Sequence, residues 1–188
     1  MRSQVATVGG CWFLLALFTG ELGLINQLPP LALPTIVLGL TALLLAAHWW
    51  IDSFREWVES LDRRWLVAIH LSRFVGIYFL FLYDHGELPF AFAVLGGWGD
   101  IVVAGTAVGV MLVSPDHSGG RHLWLTWNGL GWLDLLFVVV TAARLEWADP
   151  VSMSALTRLP LSLLPTFVVP LLLASHAVLF LRLRRRQG

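Results

Sequence analysis

The chain has 188 residues, 57% hydrophobic and only 13% charged, and its twelve basic and twelve acidic side chains balance to zero. Soluble domains carry about 25% charged residues, so an ordinary soluble fold is excluded, and no basic stripe exists to hold nucleic acid. Every basic residue is an arginine and Cys11 is the single cysteine. A P-loop lysine, a Schiff base, an internal disulfide, a CxxC pair and a thiolate metal cage are therefore excluded too.

Six apolar runs meet the length of about 17–25 residues that a membrane-spanning helix needs. They cover about 5–28, 31–50, 65–83, 88–113, 123–143 and 159–183. The first, behind Arg2, carries no small-x-small cleavage motif after its apolar core and is expected to be a retained span. Glu21, Asn26 and Gln27 mark its outer end, and Pro29, Pro30 and Pro34 the turn into the second. His48, Trp49 and Trp50 close the second run as an aromatic belt.

Residues 51–64 then place Ile51, Phe54, Trp57, Val58 and Leu61 at helical spacing, with Asp52, Arg55, Glu56 and Glu59 on other faces. That pattern predicts an amphipathic helix at the membrane surface or a cytoplasmic extension of the second span. The predicted fold is an all-α membrane protein in one integral membrane domain, 1–188. It is a bundle of six transmembrane helices with an interfacial amphipathic helix after the second.

The third run carries His70 and Arg73, and an α-helical period places Ile77, Leu80 and Asp84 on the same broad face. The fourth carries Asp100 on a strip of small residues, Ala93, Gly96, Gly97, Ala104 and Ala107, the kind of surface that lets another backbone approach. Gly105 and Gly109 form a GxxxG on a different face. The fifth presents Trp127, Gly131, Asp134, Val138 and Thr141 together, with Asn128 turned about 120° away. Gly97-Trp98-Gly99-Asp100 and Gly131-Trp132-Leu133-Asp134 both read G-W-x-D on successive, oppositely directed spans, an echo of the inverted repeats of transporters. The sixth contains Pro160, Pro165 and Pro170; Pro170 is expected to kink the helix, with neighbours supplying the freed carbonyl. His176 follows toward the cytoplasmic end.

Arginine asymmetry orients the chain. With six spans both termini share one side, which holds Arg2, Arg55, Arg63, Arg64, Arg121, Arg182, Arg184, Arg185 and Arg186, against Arg144 and Arg158 on the other. Both termini are expected in the cytoplasm, the protein in the inner or plasma membrane, and the bilayer as its first partner.

Arg73, Asp100 and Asp134 all fall near mid-depth. A lone charge there costs roughly 2.5–3.5 kcal/mol or more, so mutual pairing is expected, the guanidinium forking onto a carboxylate. Two readings stand: a structural ion-pair lock, or a site for a substrate, ion or proton. His70 and His176 lie at one level in the inner leaflet. Two such imidazoles are candidate axial ligands for a haem or another tetrapyrrole, or candidate metal ligands with the aspartates, although HxxxH, HExxH and CxxCH are absent.

Arg73–Gly76, Gly86-x-Leu88-Pro89-x-x-Phe92-Ala93, Gly97-x-Gly99-Asp100-Ile101, Trp127-Asn128-x-x-Gly131-x-x-Asp134 and Pro165-Thr166-Phe167-x-Val169-Pro170 with His176 form one pattern. It resembles a family of uncharacterised bacterial multi-pass integral membrane proteins with no assigned activity. The resemblance covers spans three to six and implies that these polar positions, Asn128 included, belong to one site. Intramembrane hydrolase and ceramidase-type metal motifs do not match. Passage of a proton, ion or small solute past Arg73, Asp100 and Asp134 is the leading expectation. A haem- or pigment-binding redox subunit using His70 and His176 is the alternative. A membrane-embedded enzyme, or an accessory subunit of a larger complex, is the third. A chain this short also suggests a homo-oligomer or a larger membrane complex.

Overall fold

Helix is the one open-chain structure that satisfies its own backbone donors and acceptors in hydrocarbon. A computed structural model describes residues 2–185, with side chains from Ser3, and every regular element in it is helical. In chain order these are α1 (Arg2–Glu21), α2 (Ala32–Trp50), α3 (Asp52–Ser60), α4 (Arg63–Ala68), α5 (Gly76–Asp84), α6 (Phe90–Leu112), α7 (Ser118–Ala148) and α8 (Val169–Arg184). Six helical stretches are long and apolar enough to cross a membrane: Ser3–Glu21, Ala32–Trp50, Arg63–Asp84, Phe90–Leu112, Ser118–Ala148 and Leu164–Arg184. The fold is thus an all-α bundle of six spans, with the short amphipathic α3 after the second. Of the arginines counted for orientation, Arg186 and the side chain of Arg2 lie outside the described residues.

Several boundaries moved, each for a local reason. The first helix stops at Glu21 rather than running to Leu28, because Gly23 adopts a left-handed conformation (φ 64°) and starts a 3₁₀ turn, Leu24–Gln27. The amphipathic helix ends at Ser60, and Asp62 starts α4 by accepting from the Arg64 N–H at 2.9 Å. The fifth helix continues to Ala148, since nothing breaks it before Asp149-Pro150, where the Asp149 carboxylate accepts from the Val151 N–H at 3.1 Å.

Between α4 and α5 the backbone tightens into a 3₁₀ segment, Ile69–Val75. Side chains three apart eclipse one another in that geometry. The buried stripe accordingly runs Val67, His70, Arg73, Gly76, Phe79 and Leu82, a strict period of three. Ile77, expected on the Arg73 face, is 58% exposed. An α-helical count had put it there; the tighter turn rotates it away.

The helices gather into two compact units. One comprises Met1–Leu61 with Ala142–Leu171, the other Asp62–Thr141 with Leu172–Gly188. In the first unit α2 packs on α3 and on a π-helical turn, Leu164–Val168. Pro170 has no N–H for the Thr166 carbonyl four residues earlier. The Trp12 indole N–H supplies it at 2.9 Å, while Trp12 and Phe13 pack their rings on Phe167 at 4.7 and 5.2 Å. The distortion expected at Pro170 is taken up by this π turn immediately before it. Elsewhere α1 and α2 leave Leu14, Leu15, Phe18, Leu38 and Leu43 exposed, an apolar surface that suits acyl chains.

In the second unit α5 and the 3₁₀ segment lie against α6. Gly76 and Gly97 make the close approach possible. A Cβ on Gly97 would stand 2.9 Å from the Gly76 carbonyl oxygen, and one on Gly76 would collide with the Gly97 carbonyl and reach Asp100 Cβ at 3.0 Å. All five small residues counted around Asp100 are buried. Gly105 and Gly109, by contrast, have nothing within 4 Å of a built Cβ. Below this contact Val67, Val103, Ala107, Val110, Trp124 and Leu179 form the apolar core.

Candidate functional site

Arg73 is 1% exposed and donates to groups from two helices. Its Nε donates to Asp100 Oδ1 on α6 at 2.6 Å, its Nη1 to the Gly131 carbonyl on α7 at 3.0 Å, and its Nη2 to Asp134 Oδ2 on α7. The guanidinium does not fork onto one carboxylate. It divides between two, because the aspartates arrive from separate helices on either side of it. Five N–H donors are available on a guanidinium and three of them are engaged. With both carboxylates ionised the cluster holds one negative charge in excess.

The glycines of the two G-W-x-D segments make room for these contacts. Gly97 admits α5, and a Cβ on Gly99 would collide with the Asp134 carboxylate. Gly131 lends its carbonyl to Arg73, and a Cβ there would stand 2.9 Å from His176 Cε1 and 3.2 Å from His176 Nε2. The tryptophans of both segments, Trp98 at 56% and Trp132 at 42%, are exposed.

His70 and His176 lie together beside this cluster, with ring centroids 4.1 Å apart and planes inclined by 41°. Both are fully buried. His70 Nε2 bonds Ser175 Oγ at 2.9 Å, and Ser175 Oγ also donates to the Leu172 carbonyl at 2.8 Å. His176 Nδ1 bonds Asn128 Oδ1 at 2.8 Å, while Asn128 Nδ2 donates to the His176 carbonyl at 3.0 Å. Asn128, which points away from Asp134 on α7, thus binds His176 of the pair. His70 Nδ1 and His176 Nε2 have no hydrogen-bond partner among the described residues. Trp127 contacts both rings at 5.3 and 5.8 Å, its own N–H directed to the Val103 carbonyl and Thr106 Oγ1. It also lines an apolar groove of ≈ 480 Å³ between α6 and α7, with Thr106, Gly109 and Leu130.

The arrangement decides what the pair can hold. Metal–imidazole bonds are about 2 Å, so two axial nitrogens stand about 4 Å apart with their ring centres farther still. At 4.1 Å between centres the rings leave no room for a macrocycle. No group of three or more His, Cys, Asp or Glu is placed to hold a metal ion among the described residues. The other histidines lie elsewhere: His85 Nδ1 bonds the Phe81 carbonyl and His122 Nδ1 the Ser118 carbonyl, each within its own helical turn.

Ser175 and the Gly131 carbonyl are site members that the sequence did not single out. Ser175 adjoins His176 and was legible by position alone; a carbonyl has no sequence signal. The model of the family described as a domain of unknown function (DUF8737) matches residues 30–184, and the chain belongs to that family. No curated protein and no solved structure matches it.

Proposed function

We propose that this DUF8737 member passes a proton, an ion or a small solute through the membrane by way of Arg73, Asp100 and Asp134. The observation that carries the reading is the charge balance: one guanidinium between two carboxylates, in helices long and apolar enough to cross a membrane. A purely structural lock needs one acid for one base. The second acid leaves a negative charge for a mobile proton or cation to neutralise, and intramembrane ionisable groups are most often functional. Asp134, its side chain 21% exposed against 5% for Asp100, is the carboxylate through which exchange takes place. His70 and His176 act beside it as proton or ligand partners.

The chain sits in the inner or plasma membrane with both termini cytoplasmic, by the arginine count. Enclosure of a pathway by so short a chain calls for a homo-oligomer or a larger membrane complex. Reconstitution into liposomes tests the reading. Proton or solute flux is expected from the wild type and is lost in Asp100→Asn at unchanged thermal stability. Flux that persists in both Asp100→Asn and Asp134→Asn overturns it. So does the absence of flux both from the protein alone and from any larger complex with which it comigrates.

A further inference from the structure

We infer that Ile69–Val75 is a conformational switch: a 3₁₀ segment held by the contacts of Arg73, which passes to α-helix when they are released and turns α5 about its own axis. The inference deepens the passage reading by giving the charge cluster a moving part, and rests on it only for what the movement serves.

The segment is seven residues long and lies inside a membrane-spanning stretch, Arg63–Asp84. Runs of 3₁₀ helix beyond three or four residues are uncommon, since their hydrogen bonds are poorer than those of an α-helix. Its sequence, IHLSRFV, contains neither proline nor glycine and does not forbid an α-helix. What selects the tighter turn is therefore outside it. Arg73 ties the segment to α6 through Asp100, and to α7 through Asp134 and the Gly131 carbonyl. Three residues on, Gly76 lies against Gly97 at an approach that leaves no room for a Cβ on Gly76. Three residues back, His70 bonds Ser175 on α8 at 2.9 Å. A 3₁₀ turn puts these three positions in one line, whereas an α-turn sets each about 60° from the last. The three contacts are met together by the 3₁₀ form.

The helices on either side of the segment are not held alike. In α4, Val67 is fixed in the apolar core with Val103, Ala107 and Trp124. In α5, Gly76–Tyr83 reads GIYFLFLY, apolar or aromatic on every side. The buried Phe79 and Leu82 and the exposed Ile77 and Phe81 suit lipid equally, so turning this helix brings no charge into hydrocarbon. Each residue that passes from 3₁₀ to α turns the chain beyond it by about 20°, or about 100–140° across the segment. That rotation carries Arg73 out from between the aspartates and brings Ile77 toward the face that Gly76 had held. The Gly97 carbonyl leaves no room for a side chain there, so α5 also draws away from α6. Neutralisation of the carboxylates, as a proton or cation passes, is the event that loosens Arg73.

The test reads rotation of the full chain in lipid nanodiscs, apart from any flux measurement. In a Cys11→Ser background, nitroxide labels are attached singly through Ile77→Cys and Tyr78→Cys, both exposed positions on α5. Release is made in Arg73→Gln/Asp100→Asn/Asp134→Asn, which leaves no member of the cluster charged, and separately in Gly76→Ala, which breaks the contact with Gly97. In both, the label at 77 is expected to lose oxygen accessibility while the label at 78 keeps it. Acid is expected to do the same, reversibly, to the chain carrying only the label substitutions. Asp100, Asp134, His70 and His176 are the titratable groups in electrostatic reach of Arg73, and protonation of any of them weakens its hold. That measurement decides the matter if a release variant fails to fold. Unchanged accessibility at 77 in acid or in any folded release variant overturns the inference. Equal losses at 77 and 78 do so too, because they report general burial rather than rotation. Flux dependent on Asp100 with an unmoved label would retire the switch and leave the passage reading standing; a label that moves without any flux would do the reverse.

Discussion

Arg73 concentrates the electrostatic risk of the protein in one side chain. Removing one member of a buried ion pair costs about 3–5 kcal/mol, because the surviving charge is left without compensation. The members here are unequal. Arg73→Leu strands two carboxylates and is expected to destabilise the fold by about 3–5 kcal/mol, read as a lowered midpoint in denaturant. Asp134→Asn leaves Arg73 paired one to one with Asp100 and removes the excess charge, so its midpoint is expected to fall far less while flux is lost. If Asp134→Asn proves the more damaging, the cluster is a structural lock.

At the scale of elements, the site depends on how closely α5 and α6 approach. Gly76→Ala would drive a methyl group into the Gly97 carbonyl and the base of Asp100. Overpacking of this kind costs about 1–3 kcal/mol, and here it also pulls Asp100 away from Arg73, so stability and flux are expected to fall together. Gly105→Ala is the matched control. Nothing stands within 4 Å of its Cβ, so thermal unfolding is expected to hold or rise, since alanine exceeds glycine in helix propensity by about 1 kcal/mol. A loss equal to that of Gly76→Ala would show that α6 uses its GxxxG face as well. The irregular turns serve the same end: the 3₁₀ segment aligns His70, Arg73 and Gly76 on one stripe, where an α-helical turn would have fanned them out.

For the whole molecule, the proposed orientation of the six spans, with both termini inside, makes a direct prediction. In a Cys11→Ser background, Ser60→Cys at the end of α3 is expected to react only with cytoplasmic reagent and Val151→Cys only from the opposite side; both sites are exposed. Labelling of both from one side would refute the topology. The number and rough limits of the spans were readable from the sequence, because lipid demands apolar length and internal hydrogen bonding whatever the neighbours are. The convergence of Arg73, Asp100 and Asp134 was readable for the same reason: charges in hydrocarbon must meet. What the chain could not disclose was anything that depends on a few degrees of backbone rotation or on main-chain atoms. A 3₁₀ turn moved Ile77 off the Arg73 face, a carbonyl at Gly131 became a ligand of the guanidinium, and Trp12 answered for Pro170. The contact of His70 with His176, the one bonded to Ser175 and the other to Asn128, likewise exists only where separate elements touch. Composition determines that a side chain must be buried with a partner; packing alone decides which atom that partner offers.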